Sequence, residues 1–296
     1  MPGQTPAAML HPTHGDVVYG PEKRNVLDFY DAHTRKPAPL LIHIHGGSFV
    51  EGDKTEVSPA TVQVMRYAGM HLASINYSYV DGEHVIFPAP QHDGARAVQF
   101  LRSKAEEWNI DPTRVACYGE SAGGGIALWI GFHDDMADPD NADPVLRQST
   151  RLSAVGAIEA QATYDPIQTR ELIGGRAWEH PSMFKIFGVK TAEQALHPTP
   201  ALRRLYAEGS PITFLTKDDP PVFTIYSEPD GPLPLNAKPG QGIHHPNFGR
   251  LLKKRMDELG IENVFINRDG GRNQTGDVLG QMYQFLKDQP PVKLPR

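Results

Sequence analysis

Apolar residues fall in short runs, separated by stretches with the 3.6-residue spacing of amphipathic helices. NVLDFYDA (25–32) predicts an antiparallel entry strand. APLLIHIHG (38–46) is almost continuously apolar, as in a strand buried on both faces. HLASINYSY (71–79), TRVACYG (113–119), SAVGAIEAQA (153–162), PPVFTIYS (220–227) and ENVFINR (262–268) predict further strands. Helices are predicted over 90–108, 122–134, 245–260 and 276–288. Alternating strands and helices imply a parallel sheet with right-handed crossovers and helices on both faces, a doubly wound α/β fold. Between residues 163 and 219 the pattern breaks into short helical fragments with prolines, Trp178, Phe184 and Phe187. That stretch is expected to be a cap-like insertion over the C-terminal edge of the sheet, within one domain spanning 1–296.

Composition narrows the class without naming it. The chain has 296 residues, 39% of them hydrophobic and 22% charged, enough for one sizeable core. The net charge of −6 and scattered basic residues give no footprint for nucleic acid or an anionic membrane. No apolar run approaches the ~18 residues of a spanning helix. The opening MPGQTPAAMLHPTHGD lacks the pattern of a signal peptide, so a soluble intracellular setting is expected, with a secreted mature form also compatible. The one cysteine, Cys117, excludes an internal disulfide and reads as a small buried residue. A homodimer is left open.

Two motifs carry chemistry. Gly119-Glu120-Ser121-Ala122-Gly123 is G-x-S-x-G between a predicted strand and a predicted helix. Such a turn aims the serine hydroxyl out of the sheet, above a helix N-terminus that favours developing negative charge. Upstream, His45-Gly46-Gly47 follows a buried strand, as in loops that supply backbone N–H groups to an oxyanion hole. The donors expected are the N–H groups of Gly46, Gly47 and Ala122, each worth roughly 3 kcal/mol to a tetrahedral intermediate. His45 itself reads as a brace for the loop rather than a base.

At this point the chain resembles the α/β-hydrolase carboxylesterases, of the hormone-sensitive-lipase-like and feruloyl/acetyl esterase branches. The stretches YGPEKRNVLDFYDA, HIHGGSFVEGDK, FPAPQHDGARAVQFLRSKAEEWNIDPTRVACYGESAGGGIAL and PPVFTIYSEPDGPLP follow that family's order, from about Tyr19 to Leu235. The resemblance implies a doubly wound sheet with a cap, serine hydrolysis of a small-molecule ester and no cofactor or metal. It also implies that Asp230, in the turn after PPVFTIYS, orients the catalytic histidine, with Glu228 as a local rival. Ser48 stands where relatives often carry glycine.

The histidine is the main departure. The family's base belongs in the loop before the closing helix, which here is NRDGGRNQTGD (267–277), without histidine. Arg272 and Asn273, near the expected place, cannot act as bases at neutral pH. Of 13 histidines, only His244 and His245 follow Asp230, and the loop GQGIHHPNFG could bring either one to Ser121. His133 lies ~18 Å along the helix at its rise per residue. His180 and His197 belong to the insertion, and His92 reads as a helix cap. A metal held by His43 and His45 finds no carboxylate at suitable spacing. The bland reading of His244-His245 is a helix entry, one residue capping and one exposed. Two functions therefore stay open: an esterase using Ser121, Asp230 and His244 or His245, and a catalytically impaired relative that binds a ligand or partner.

Overall fold

The computed structural model describes residues 11–271 and 277–294. Among them, eight strands form one sheet: β1 (His14–Val18), β2 (Val26–Tyr30), β3 (Ala38–Ile44), β4 (His71–Ile75), β5 (Ile110–Glu120), β6 (Ala154–Ile158), β7 (Val222–Tyr226) and β8 (Asn263–Asn267). Their order is β1-β2-β4-β3-β5-β6-β7-β8. β2 runs antiparallel to β1 and β4, as the sequence predicted for an entry strand, and the pairs from β4 to β8 are all parallel.

Alternation along the central strands assigns the two faces. Val115 and Cys117 of β5 join Leu40, Ile42 and Ile44 of β3 in one core, while Ala116, Tyr118 and Leu41 point into the other. A period of two with both phases apolar is what a strand covered on both faces requires. The first core is closed by α2 (Ala89–Ser103), α3 (Ala122–Phe132) and α8 (Asn247–Leu259), and the second by α1 (Pro59–Ala68) and α9 (Val278–Asp288). Between β6 and β7 lie four short helices: α4 (Pro166–Ile173), α5 (Pro181–Lys185), α6 (Ala192–Leu196) and α7 (Pro200–Gly209). Ile173, Met183 and Tyr206 of these helices, with Trp178 from the turn between α4 and α5, continue the first core.

Two elements escaped the sequence pattern. Four of the five residues of β1 are exposed, so the strand carries no apolar face to read. α1 buries only Val62 and Met65. His92 differs from its expected capping role: the cap position of α2 is Pro88, and the His92 ring packs edge-on against Trp129, 5.4 Å between centroids.

His71, at the start of β4, is fully buried. Its Nδ1 accepts the Ala32 N–H at 3.2 Å and its Nε2 faces the Asn109 carbonyl at 3.0 Å, which fixes a neutral ring. Burial pushes its pKa below the ordinary value, against the smaller opposing pulls of the Asn109 carbonyl and Asp31. The unfolded chain therefore binds one more proton below pH ~6.5, and the stability present above that pH is lost as pH falls. His71→Gln is expected to flatten the fall in urea-unfolding free energy between pH 7 and 5, by at most about 1.4 kcal/mol per pH unit. Identical slopes for variant and wild type would refute this.

Candidate active site

Ser121 sits where β5 passes into α3, with φ 51 and ψ −116. Such backbone costs about 1–3 kcal/mol and persists only where neighbours over-determine it. Here the Ser121 N–H donates to the Ile158 carbonyl at 2.8 Å, and the Gly125 N–H donates to the Ser121 carbonyl at 2.9 Å. The helix also starts hard against β3. A Cβ on Gly123 would lie 2.0 Å from the Ile44 carbonyl oxygen, and one on Gly119 would lie 2.5 Å from the same atom. Both glycines of G-x-S-x-G are thus demanded by packing.

The loop after β3 approaches the serine from the other side. A Cβ on Gly46 would be 3.9 Å from that of Ser121. Gly47 has φ 98 and accepts the Val50 and Glu51 N–H groups on its carbonyl at 2.9 and 3.0 Å. Ser48 follows at φ 54, left-handed backbone that a glycine would adopt without strain. His45 braces the turn: its Nδ1 faces the Gly46 carbonyl at 2.8 Å, and its ring stacks on Tyr77. The Tyr77 hydroxyl donates to the carbonyls of His45 and Gly46 at 3.1 and 3.0 Å. Burial lowers the His45 pKa, so the ring is neutral. Ala122 lines a cavity of about 260 Å³, open mouth included, together with Ser121, Phe49 and Tyr164 and with Met183 and Ile186 from the α5 region.

The two adjacent histidines part company. His244 Nε2 lies 2.9 Å from Ser121 Oγ, and its Nδ1 lies 3.3 Å from Glu159 Oε2. His245 is buried and turned away: its Nε2 faces the Gly231 carbonyl at 2.9 Å, and its Nδ1 accepts the Asn247 N–H at the start of α8. Burial pushes the His244 pKa below its ordinary value, and the charge of Glu159 pulls it back up.

The carboxylate facing the histidine is a correction. Asp230, expected in that role, lies exposed beyond β7, its two oxygens held by the Arg250 guanidinium, with Asn267 also donating at 3.3 Å. Glu228, the local rival, instead accepts the His244 backbone N–H at 3.3 Å. Glu159 leaves the end of β6 at φ 52, which turns its side chain toward His244. The Ser227 hydroxyl donates to Glu159 Oε1, and the buried Gln161 amide donates to the Ile243 carbonyl beside His244. Glu159, Ser227 and Gln161 belong to none of the sequence motifs. The available signal was a single charge in SAVGAIEAQA, a run otherwise made of small and apolar residues but for Gln161. Arg272 and Asn273, weighed above, lie outside the described residues. His133 packs on Trp129 and Phe214, His197 is exposed beside Glu193, and His180 Nδ1 is bonded to Ser182.

Residues 27–238 match the BD-FAE family. The chain belongs to that family. It is 26% identical over 234 residues to the probable carboxylic ester hydrolase LipM of Mycobacterium tuberculosis, covering 76% of this chain and 50% of that one. Esterase LipQ of the same organism is 27% identical, covering 74% and 49%. The chain spans about half the length of the curated relatives it matches. Among solved structures, a truncated carbohydrate esterase from gut microbiota superposes with a TM-score of 0.71 at 22% identity, over 97% of this chain and 99% of that one. The acetyl ester-xyloside bifunctional hydrolase of Caldicellulosiruptor lactoaceticus gives 0.67 at 22% identity, over 88% and 86%. The fold is that of the α/β-hydrolases, and family membership agrees with the resemblance drawn from the motifs.

Gly123→Ala tests the close approach on which the turn rests. Overpacking of this kind costs about 1–3 kcal/mol or more, so a fall in melting temperature of several degrees is expected by calorimetry. A wild-type melting temperature would contradict the packing at Ile44.

Proposed function

We propose that this chain is a serine carboxylic ester hydrolase acting on small esters through an acyl-enzyme. The observation that carries the reading is His244 Nε2 at 2.9 Å from Ser121 Oγ, with Glu159 behind the same ring. The hydroxyl stands on a strained turn at a helix N-terminus, and a neutral imidazole is in place to accept its proton.

In this reading Ser121 Oγ attacks the ester carbonyl carbon as its proton passes to His244 Nε2. Glu159 holds the Nδ1–H and stabilises the imidazolium. The N–H groups of Gly46, Gly47 and Ala122 receive the oxyanion. Collapse expels the alcohol, which takes the proton from His244. Water, deprotonated by the same ring, then releases the carboxylic acid and frees Ser121. The segment 163–219 serves as a cap whose Met183 and Ile186 help to wall the cavity beside Ser121. The named activities of the mycobacterial relatives support the same class.

A fluorophosphonate probe should label Ser121 stoichiometrically, and p-nitrophenyl acetate should be hydrolysed above background. Both should vanish in Ser121→Ala and fall by at least about 100-fold in His244→Gln. An unlabelled wild-type protein without hydrolysis would instead support a ligand-binding relative.

The base must be neutral, so activity should rise with pH through a midpoint below the ordinary imidazole range and stay level near neutrality. Glu159→Gln removes the charge that raises the His244 pKa. It should move that midpoint to lower pH while cutting kcat by roughly 100-fold or more. Asp230→Asn should change kcat by less than about 3-fold, as for other exposed ion pairs. The opposite ranking of these two variants would restore Asp230 as the acid.

A further inference from the structure

His244 belongs to no helix or strand; it lies in the irregular connector between β7 and α8. A base delivered by a loop needs its main chain fixed, because misplacement by about 1 Å can cost 100-fold in rate. Resting on the esterase reading above, we propose that Glu228 is the positioning residue that fixes it. The half-buried Glu228 carboxylate accepts the His244 N–H at 3.3 Å. It therefore grips the peptide that carries the imidazole while leaving the ring free for Ser121 and Glu159.

The preceding residue completes the arrangement. Ser227 donates its hydroxyl to Glu159, so two consecutive side chains at the exit of β7 hold the imidazole's backbone and the imidazole's partner. Other ties act around His244: Gln161 on the Ile243 carbonyl, His245 on the Gly231 carbonyl, and, at the start of α8, Asn247 Nδ2 on the Leu172 carbonyl at 3.0 Å. Of these side chains, Glu228 alone bonds the His244 peptide N–H. Its carboxylate accepts a main-chain donor, so its part is to place the base and not to move a proton.

The test compares Glu228→Ala, Glu228→Gln and Glu228→Asp in the full chain, with p-nitrophenyl acetate kinetics and thermal melting. The Ala variant should lose about 100-fold in kcat with KM within roughly 3-fold. The Gln variant keeps an acceptor oxygen at the same reach and should retain kcat within about 5-fold. The Asp variant, one methylene shorter, should lose about 10-fold or more with a melting temperature near wild type. If the Ala variant fails to fold, the Asp and Gln pair decides. Wild-type kcat in the Asp or Ala variant, or a Gln variant as impaired as either, overturns the proposal. An inactive wild type fails the esterase reading itself, which the probe reports separately.

Discussion

The site depends on how closely α3 approaches the end of β3. The Ile44 carbonyl oxygen occupies space that a Cβ on Gly119 or Gly123 would need. With neither Cβ present, β5 can turn into α3 without an intervening loop, and the Ser121 backbone is forced to φ 51. The same contact brings the β3 loop, through Gly46, against the serine. Strain at Ser121 and the approach of the Gly46 loop are thus two results of one packing event, and the buried faces of β3, β5 and α3 supply the energy that maintains it.

Adjacency of strand ends does the rest. β5, β6 and β7 are consecutive neighbours in the sheet, and neighbouring parallel strands lie about 4.8 Å apart. Ser121 leaves β5, Glu159 leaves β6, and His244 arrives on the connector that leaves β7. The three groups converge without any long excursion. The chain order serine, carboxylate, histidine is kept although both partners sit one strand earlier than the resemblance implied.

What could be read from the sequence follows from which constraints act locally. The serine turn and the glycine loop impose residue types on a few contiguous positions, so Ser121, Gly46, Gly47 and Ala122 could be named as candidates. The buried strands declare themselves by continuous apolar runs, whereas β1, exposed along most of its length, does not. Glu159 could not be paired with a histidine because strand order is a long-range property, and nothing in SAVGAIEAQA says that β6 lies between β5 and β7. Nor could His244 be told from His245. Their side chains diverge because Glu228 holds one backbone N–H while Asn247 and Gly231 engage the other ring.

The contrast between Asp230 and Glu159 shows why a carboxylate's position along the chain is a poor guide to its role. Asp230 stands in the expected turn, but it is exposed and its charge is met by the Arg250 guanidinium. Ion pairs in water are worth about 0–1 kcal/mol, and a carboxylate already matched to a cation has little field left for an imidazolium. Glu159 has a side chain only 16% exposed, beside an imidazole 27% exposed, and the donors assigned to its carboxylate are a hydroxyl and that imidazole. Where water is thinned, a single charge acts at greater strength. It opposes the desolvation that depresses the His244 pKa, and it favours the ring orientation that points Nε2 at Ser121. The electrostatic requirement is for a carboxylate that is partly desolvated, hydrogen-bonded and not matched to a cation behind the ring, and any strand end that borders β5 can meet it.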